Sequence, residues 1–287
     1  MDNRPAGPGI TVARNVAELR RAIASWRKGG ESVALVPTMG ALHAGHLALV
    51  ARARTLAART VASIFVNPTQ FGPREDLSHY PRDPAGDMAK LAAAGCDLVF
   101  MPAVAEMYPE GFSARIEPGP IGELLEGRFR PGHFAGVATV VAKLFAQAQP
   151  DVALFGEKDY QQLQVIRRLV RDLDIPVRIE GVPTVREADG LALSSRNAYL
   201  SPAERRIAPK LHVTLAEVAR RARQGEPEAA ARGIEALLHA GFAKVDYIEI
   251  CDAETLGPPV TGRKARVLAA AWLGATRLID NLAVEPA

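Results

Sequence analysis

Val33-Ala34-Leu35-Val36-Pro37-Thr38-Met39-Gly40-Ala41-Leu42-His43-Ala44-Gly45-His46 is the stretch on which the fold turns. Residues 33–36 form a short apolar run, the kind that makes a strand buried on both faces of a parallel sheet. A glycine-containing turn, residues 37–45, follows it. Behind the turn Leu47, Val50 and Leu56 recur at helical spacing, and residues 61–66 supply the next apolar run. Strand, turn, helix and strand at this length make a βαβ unit. The alternation continues outward. Residues 87–94 read as a helix that stops at Gly95, a C-terminal capping glycine. Residues 97–100 read as a strand, 135–147 as a long helix, 152–155 as a strand, and 160–173 as a helix with Leu163, Ile166, Leu169, Val170 and Leu173 on its apolar side. The pattern predicts an α/β fold, a Rossmann-like doubly wound parallel sheet.

After about Thr184 the pattern changes. A polar turn, residues 186–197, precedes two expected helices, 202–223 and 226–240, and three strand-like runs, 246–250, 265–273 and 277–282. This reads as a smaller α+β C-terminal domain. The division is placed at 1–184 and 185–287, where a mobile second domain could act as a lid on the first.

Composition narrows the class. The chain has 287 residues, 48% of them hydrophobic, enough for two cores. Its 35 Lys and Arg against 32 Asp and Glu leave a formal charge of +3, too balanced for a nucleic-acid footprint although the calculated pI is near 9.0. Cys96 and Cys251 are far apart and lack Cys-x-x-Cys spacing, so buried free thiols in a reducing compartment are expected, with neither a disulfide nor a zinc framework. The polar start, residues 1–9, lacks a signal-peptide core, and no apolar run approaches the ~20 residues that span a bilayer. A cytoplasmic protein with no membrane partner is the expectation.

In open α/β sheets, ligands bind beyond the carboxyl ends of the strands. Three polar turns, residues 37–46, 67–72 and 156–159, are therefore expected to converge on one crevice. In the first, glycines let backbone approach a phosphate, a helix N-terminus offers N–H groups to an anion, and His43 and His46 share one face. The same residues also suit a tight turn with two hydrophilic histidines. A zinc site is a weaker reading, because the Glu of a His-Glu-x-x-His helix is absent and no cysteine lies nearby. In the second, Asn67 and Gln70 offer amides beside Phe71, suited to a small hydroxylated acid, though Asn-Pro-x-Gln is also an ordinary turn. In the third, Lys158 can neutralise phosphate charge, Asp159 can take a ribose hydroxyl or cap the helix, and Gln162 lies one turn further on; a plain charged helix start is the alternative. A fourth segment, Leu193-Ser194-Ser195-Arg196-Asn197, places two hydroxyls beside a planar guanidinium, a compact phosphate clamp or a solvated loop. Residues 126–134 carry positive charge and read as a surface loop, with Arg130 a possible supporting contact.

Taken together these residues resemble a known set. His43-Ala44-Gly45-His46 after a glycine-containing turn looks like the ATP signature of class I aminoacyl-tRNA synthetases and nucleotidylyltransferases. The longer string, Pro37-Thr38-Met39-Gly40-Ala41-Leu42-His43-Ala44-Gly45-His46, is similar to the form typical of pantothenate synthetases, and the other three segments match that family in the same order over nearly the whole chain. The resemblance implies an AMP-forming ligase that condenses pantoate with β-alanine through a pantoyl-adenylate, with ATP as substrate and Mg²⁺ required. It implies ATP contacts from Met39, Gly40, His43, Gly45, His46, Gly156, Glu157, Lys158, Asp159, Val185 (through its backbone, on the adenine side), Leu193, Ser194, Ser195 and Arg196. Pantoate falls to Gln70 and Gln162, β-alanine to Gln70, and the catalytic role to His46, His43 and Lys158. The 185–197 segment takes the part of the synthetases' mobile Lys-Met-Ser-Lys-Ser loop. A homodimer is implied as well. Where many members carry an acidic pair, this sequence has Gly86 followed by Asp87, so no protein metal ligand is assigned.

Three rival readings stay open on sequence alone. A nucleotidylyltransferase shares His-x-Gly-His but keeps the nucleotide in its product. A tRNA synthetase would need room for an anticodon-reading module and massed basic residues. A regulatory protein with a degenerate site would keep the fold without turnover.

Overall fold

The computed structural model describes residues 10–73 and 75–285; the polar start, residues 1–9, lies outside them. The chain divides into two compact units. The first comprises the residues up to Pro118 with Gly132–Gly156 and Val165–Val182, and the second comprises Gly119–Pro131, Glu157–Gln164 and Pro183–Ala287.

The first unit is built on a six-stranded sheet. Its strands are β1 (Thr11–Ala13), β2 (Val33–Thr38), β3 (Arg59–Ile64), β4 (Leu98–Phe100), β5 (Val152–Gly156) and β6 (Arg178–Val182). All pair in parallel, in the order β1-β4-β3-β2-β5-β6. From β2 the chain first winds one way, through β3 to β4, and later the other way, through β5 to β6. The sheet is therefore doubly wound, and its order reverses between β2 and β5. The helix Ala44–Arg54 packs against β2, β3, β5 and β6, whereas Val16–Lys28 packs against the long helix His133–Ala148. Ala34, Val36, Leu49, Val50, Ala62, Leu91, Val99 and Leu154 lie in one buried apolar cluster under the first of these helices.

The second unit carries an antiparallel meander of β7 (Lys244–Asp252), β8 (Ala265–Leu273) and β9 (Thr276–Val284). The helices Lys210–Arg223 and Ala229–His239 bury Leu211, Leu215, Val218 and Leu237 against Val267, Ala269, Ala271 and Leu278 of this sheet. One expected helix is two. Pro202–Ile207 ends before Pro209, which has no N–H to donate and would clash with the preceding turn, and a second helix starts at Lys210. β1, the helix Val16–Lys28 and β6 are among the elements that lie outside the sequence pattern. Both cysteines are buried free thiols, and burial pushes each up to about 12.

Candidate active site

In the first unit, the reversal of strand order places the carboxyl ends of β2 and β5, Thr38 and Gly156, side by side. The turn after β2 enters left-handed backbone at Gly40 (φ 82°) and Ala41 (φ 50°). What holds it there is Asp87, from the helix Pro84–Ala93. Its side chain is 1% exposed, and its two oxygens accept the backbone N–H of Ala41 at 2.8 Å and of Leu42 at 2.7 Å. Lys90, one turn further along that helix, donates to the carbonyl of Leu42 at 2.9 Å. Thr38 closes the strand end by donating to Ser63 O at 2.7 Å. Both Asp87 oxygens are thus bonded to backbone of the turn.

His43 and His46 form a capping box on the helix Ala44–Arg54. The Gly45 N–H donates to His43 Nδ1 at 3.2 Å, and the His43 N–H donates to His46 Nδ1 at 3.3 Å. A nitrogen that accepts cannot carry the proton, so each ring holds its proton on Nε2 and presents that N–H as a donor. The two ring centroids lie 4.2 Å apart. Two N–H donors stand beside a helix N-terminus whose first turn has no acidic residue, an arrangement made for an anion.

Gln70 ends the one-turn helix Pro68–Gln70 after β3. Its Oε1 accepts from Asn67 Nδ2 at 3.1 Å, its Nε2 donates to Met39 Sδ at 2.9 Å, and its carbonyl lies 2.8 Å from His133 Nδ1. Gln70 and Met39 are therefore brought together, which ties the second turn to the first. Asn67, 1% exposed, is the hub beneath them: its Oδ1 accepts from Tyr108 OH at 2.8 Å and Thr69 Oγ1 at 3.0 Å, and its Nδ2 also donates to Gly136 O at 3.2 Å. Burial raises the Tyr108 phenol, which stays a donor.

In the second unit, Glu157–Asp159 forms a single turn leading into the helix Tyr160–Asp172. Lys158 Nζ lies 4.0 Å from Asp159 Oδ2, and Gln162 is half-buried one turn further on. The neighbouring Gln161, 3% exposed, donates to Ile121 O at 2.9 Å and Leu124 O at 2.8 Å and accepts from Glu126 N at 3.0 Å. Residues 126–134 depart from the surface loop that their charge predicts. Glu126–Phe129 is helical, and the Glu126 carboxylate is buried between Arg277, at 2.7 and 2.8 Å, and Tyr247 OH, at 2.9 Å. Arg130 stands 4.0 Å from the same carboxylate. Burial alone would raise Glu126; the bonds and charge of Arg277, with Arg130 and Tyr247, outweigh it and hold the carboxyl below its usual range.

The segment that carries Val185 to Arg196 is a hairpin. Arg186 bridges Ala192, and Leu193 N–H donates to Val185 O at 3.0 Å. Ser194 caps the following short helix, Ser195–Tyr199, by accepting from Arg196 N at 3.3 Å. Leu193, Ser194, Ser195 and Arg196 are all half-buried and consecutive on this structured support. Of the residues that build the supports, Asp87 and Gln161 are not among the site residues that sequence reasoning identifies, and Asn67 is read from sequence as a ligand amide rather than as this hub. Their decisive partners lie far along the chain, beyond any local pattern.

Comparison with known proteins fits this geometry. A family model described as pantoate-beta-alanine ligase matches residues 11–283. The pantothenate synthetase of Paramagnetospirillum magneticum is 60% identical over 280 residues, 96% of this chain and 99% of that protein. The crystal structure of pantothenate synthetase from Thermus thermophilus superposes with a TM-score of 0.88 at 53% identity, over 96% of this chain and 100% of that one. The pantoate-beta-alanine ligase of Francisella tularensis, solved with a β-γ ATP and β-alanine, gives a TM-score of 0.83 at 36% identity over 97% of this chain and 99% of that one. Similarity of this extent, carried on a doubly wound sheet with the histidine turn at its switch point, shows that the chain belongs to the pantoate–β-alanine ligase family.

Proposed function

We propose that this chain performs its family's reaction, the ATP-dependent condensation of pantoate with β-alanine, with the residues identified above in the following roles. In the first step a pantoate carboxylate oxygen attacks the α-phosphorus of ATP and pyrophosphate leaves. In the second the amine of β-alanine attacks the acyl carbon of pantoyl-adenylate and AMP leaves. The carboxylate is already ionised near neutral pH, so the first step needs charge control rather than a general base. His46 and His43 supply it through Nε2–H at the phosphoryl oxygens, Lys158 neutralises the phosphates, and Ser194, Ser195 and Arg196 close on them. Met39, Gly40, Gly45, Gly156, Glu157, Asp159, Val185 and Leu193 complete the nucleotide site. Gln70 and Gln162 take pantoate, and Gln70 also meets β-alanine. That the Francisella relative was solved with β-γ ATP and β-alanine supports both as substrates here.

Mg²⁺ enters this reading as the ion carried by the triphosphate. Among the described residues no group of three His, Cys, Asp or Glu side chains is placed to hold a metal. Such a cation would keep most of its ligands as phosphate oxygens and water and would offset charge on the departing pyrophosphate. Residues 1–184 are assigned to ATP and pantoate and residues 185–287 to a lid, supported by the separate cores of the two sheets. A homodimer in the cytoplasm completes the reading, supported by family resemblance and by two buried thiols that suit a reducing compartment. Sedimentation showing a monomer would remove the dimer.

The observation that carries the proposal is the histidine capping box, which fixes both Nε2–H groups as donors at the sheet's switch point. The test is nucleotide turnover by purified protein with ATP, Mg²⁺ and pantoate, with and without β-alanine. Equal amounts of AMP, pyrophosphate and pantothenate are expected with both organic substrates, and with pantoate alone no more than one pyrophosphate per site. Turnover that ignores pantoate would overturn it.

A further inference from the structure

In β9 the adjacent residues Asp280 and Asn281 are both buried, 3% and 2% exposed, although successive strand residues point to opposite faces. From one face Asn281 Nδ2 donates to the carbonyls of Glu157 at 2.9 Å and Lys158 at 2.8 Å. The amide is oriented by Arg266, two positions diagonal on β8, whose Nε donates to Asn281 Oδ1 at 2.6 Å. Only the orientation with Nδ2 toward the two carbonyls satisfies all three partners. Arg266 also reaches Glu157 Oε2 at 3.1 Å and stacks 3.8 Å from the Tyr160 ring centroid, so one guanidinium braces the turn on both sides of Lys158.

From the other face, the Asp280 carboxylate accepts two bonds from Arg186, at 2.7 and 2.9 Å, and His212 Nδ1 lies 3.7 Å away. Arg186 then donates to Gly190 O at 3.1 Å across the hairpin and to Asn281 O at 3.4 Å. The stem that this arginine pins is the one that delivers Ser194, Ser195 and Arg196.

We propose that Asp280 and Asn281 are positioning residues for adenylation: one dipeptide sets the Lys158 turn with its second side chain and the Ser194–Arg196 hairpin with its first. The inference rests on the assignment of Lys158 and Arg196 to the ATP phosphates. Neither Asp280 nor Asn281 touches substrate in this scheme. Both act by fixing backbone from which phosphate-binding groups project, where misplacement by ~1 Å costs about a hundredfold in rate.

The test separates the two half-reactions. Adenylation is read as pantoate-dependent pyrophosphate release at varied ATP, and amide formation as transfer from prepared pantoyl-adenylate to β-alanine. Asn281→Ala and Asp280→Asn are expected to lower kcat/KM for ATP at least about tenfold while transfer stays within about threefold of wild type. Arg266→Lys, which keeps the charge but loses the fork that joins Asn281 to Glu157, is expected to give the same split more weakly, and it carries the test if Asn281→Ala does not fold. Parallel loss of both half-reactions, or unchanged adenylation in a folded variant, overturns the inference. Lys158→Ala separates the layers: if it leaves adenylation intact the assignment beneath fails and the inference with it. If it cripples adenylation while Asn281→Ala and Arg266→Lys do not, the inference alone falls.

Discussion

Asp87 accepts the backbone N–H of Leu42 at 2.7 Å from 45 residues away, beneath the turn that begins the histidine signature. With the matching bond from Ala41, the carboxylate fixes two successive amides of a turn whose backbone is left-handed at Gly40 and Ala41. Bonds to an ionised acceptor contribute about 1.5–3 kcal/mol each, and an amide in the same place can accept on one side only. Asp87→Asn is therefore expected to lower kcat/KM for ATP about 10–100-fold while the KM for pantoate moves little. Initial rates at varied ATP and varied pantoate check this; an unchanged ATP dependence would show that the turn holds its shape without the carboxylate.

His43 has two jobs that one substitution can part. Its Nδ1 caps the helix Ala44–Arg54, and its Nε2 is assigned to phosphate. Asparagine is among the best N-caps but offers no donor where Nε2–H stood, so His43→Asn is expected to keep its stability within about 1 kcal/mol of wild type. Its adenylation rate is expected to fall about 10²–10³-fold, the cost of one donor to a developing oxyanion. His43→Ala should lose both the cap and the rate. Melting curves and pyrophosphate release measured on the two variants separate the jobs. If His43→Asn turned over normally, the charge-stabilising role would belong to His46 alone.

The division between what the sequence displays and what it hides follows the range of the interactions. β2 and β5 carry runs buried on both faces, and β8 lies at Ala265–Leu273, where its apolar run predicts it. Those signals are local. β6 reads Arg178-Ile179-Glu180-Gly181-Val182, an edge strand with one buried residue, and its polar composition conceals it. β1 is three residues long and is hidden likewise. Of the proposed site, the glycines and histidines can be nominated from sequence because their spacing is itself the motif, and Lys158 from its place at a strand-to-helix turn. Asp87 reads as a departure from an acidic pair, and its role in holding Leu42 depends on a tertiary contact that no spacing displays.

The Glu126–Arg277 pair predicts an acid limb to stability. The carboxyl's folded pKa lies below its unfolded value of about 4.3, so the pair's contribution is fully present above that value and is lost as pH falls through the folded one. Glu126→Gln leaves Arg277 buried with one carboxylate fewer, which costs about 3–5 kcal/mol. Thermal melts of wild type and Glu126→Gln should therefore differ by on the order of 10 °C at pH 7, and the difference should shrink only as the pH falls through the carboxyl's lowered folded value. A difference independent of pH would assign the loss to packing rather than to charge.

Gly136 gives a prediction whose sign is informative. It lies inside the helix His133–Ala148, where alanine is ordinarily worth about 1 kcal/mol over glycine. Here a Cβ would stand 2.6 Å from the Thr69 carbonyl carbon and 2.8 Å from Gln70 N, both backbone atoms of the Pro68–Gln70 turn. Neither can swing aside as a side-chain end would, so the helix must withdraw or the turn must move, at about 1–3 kcal/mol of overpacking. Either response pulls on Asn67, which donates to Gly136 O and to the Gln70 amide at once. Gly136→Ala is thus expected to lower Tm and to raise the KM for pantoate by about tenfold or more, with a smaller change for ATP, because the histidine turn is held separately by Asp87. Melting curves and pantoate saturation curves on the same preparation decide it. A rise in Tm with unchanged pantoate kinetics would mean that the helix does not press on the turn at Gly136.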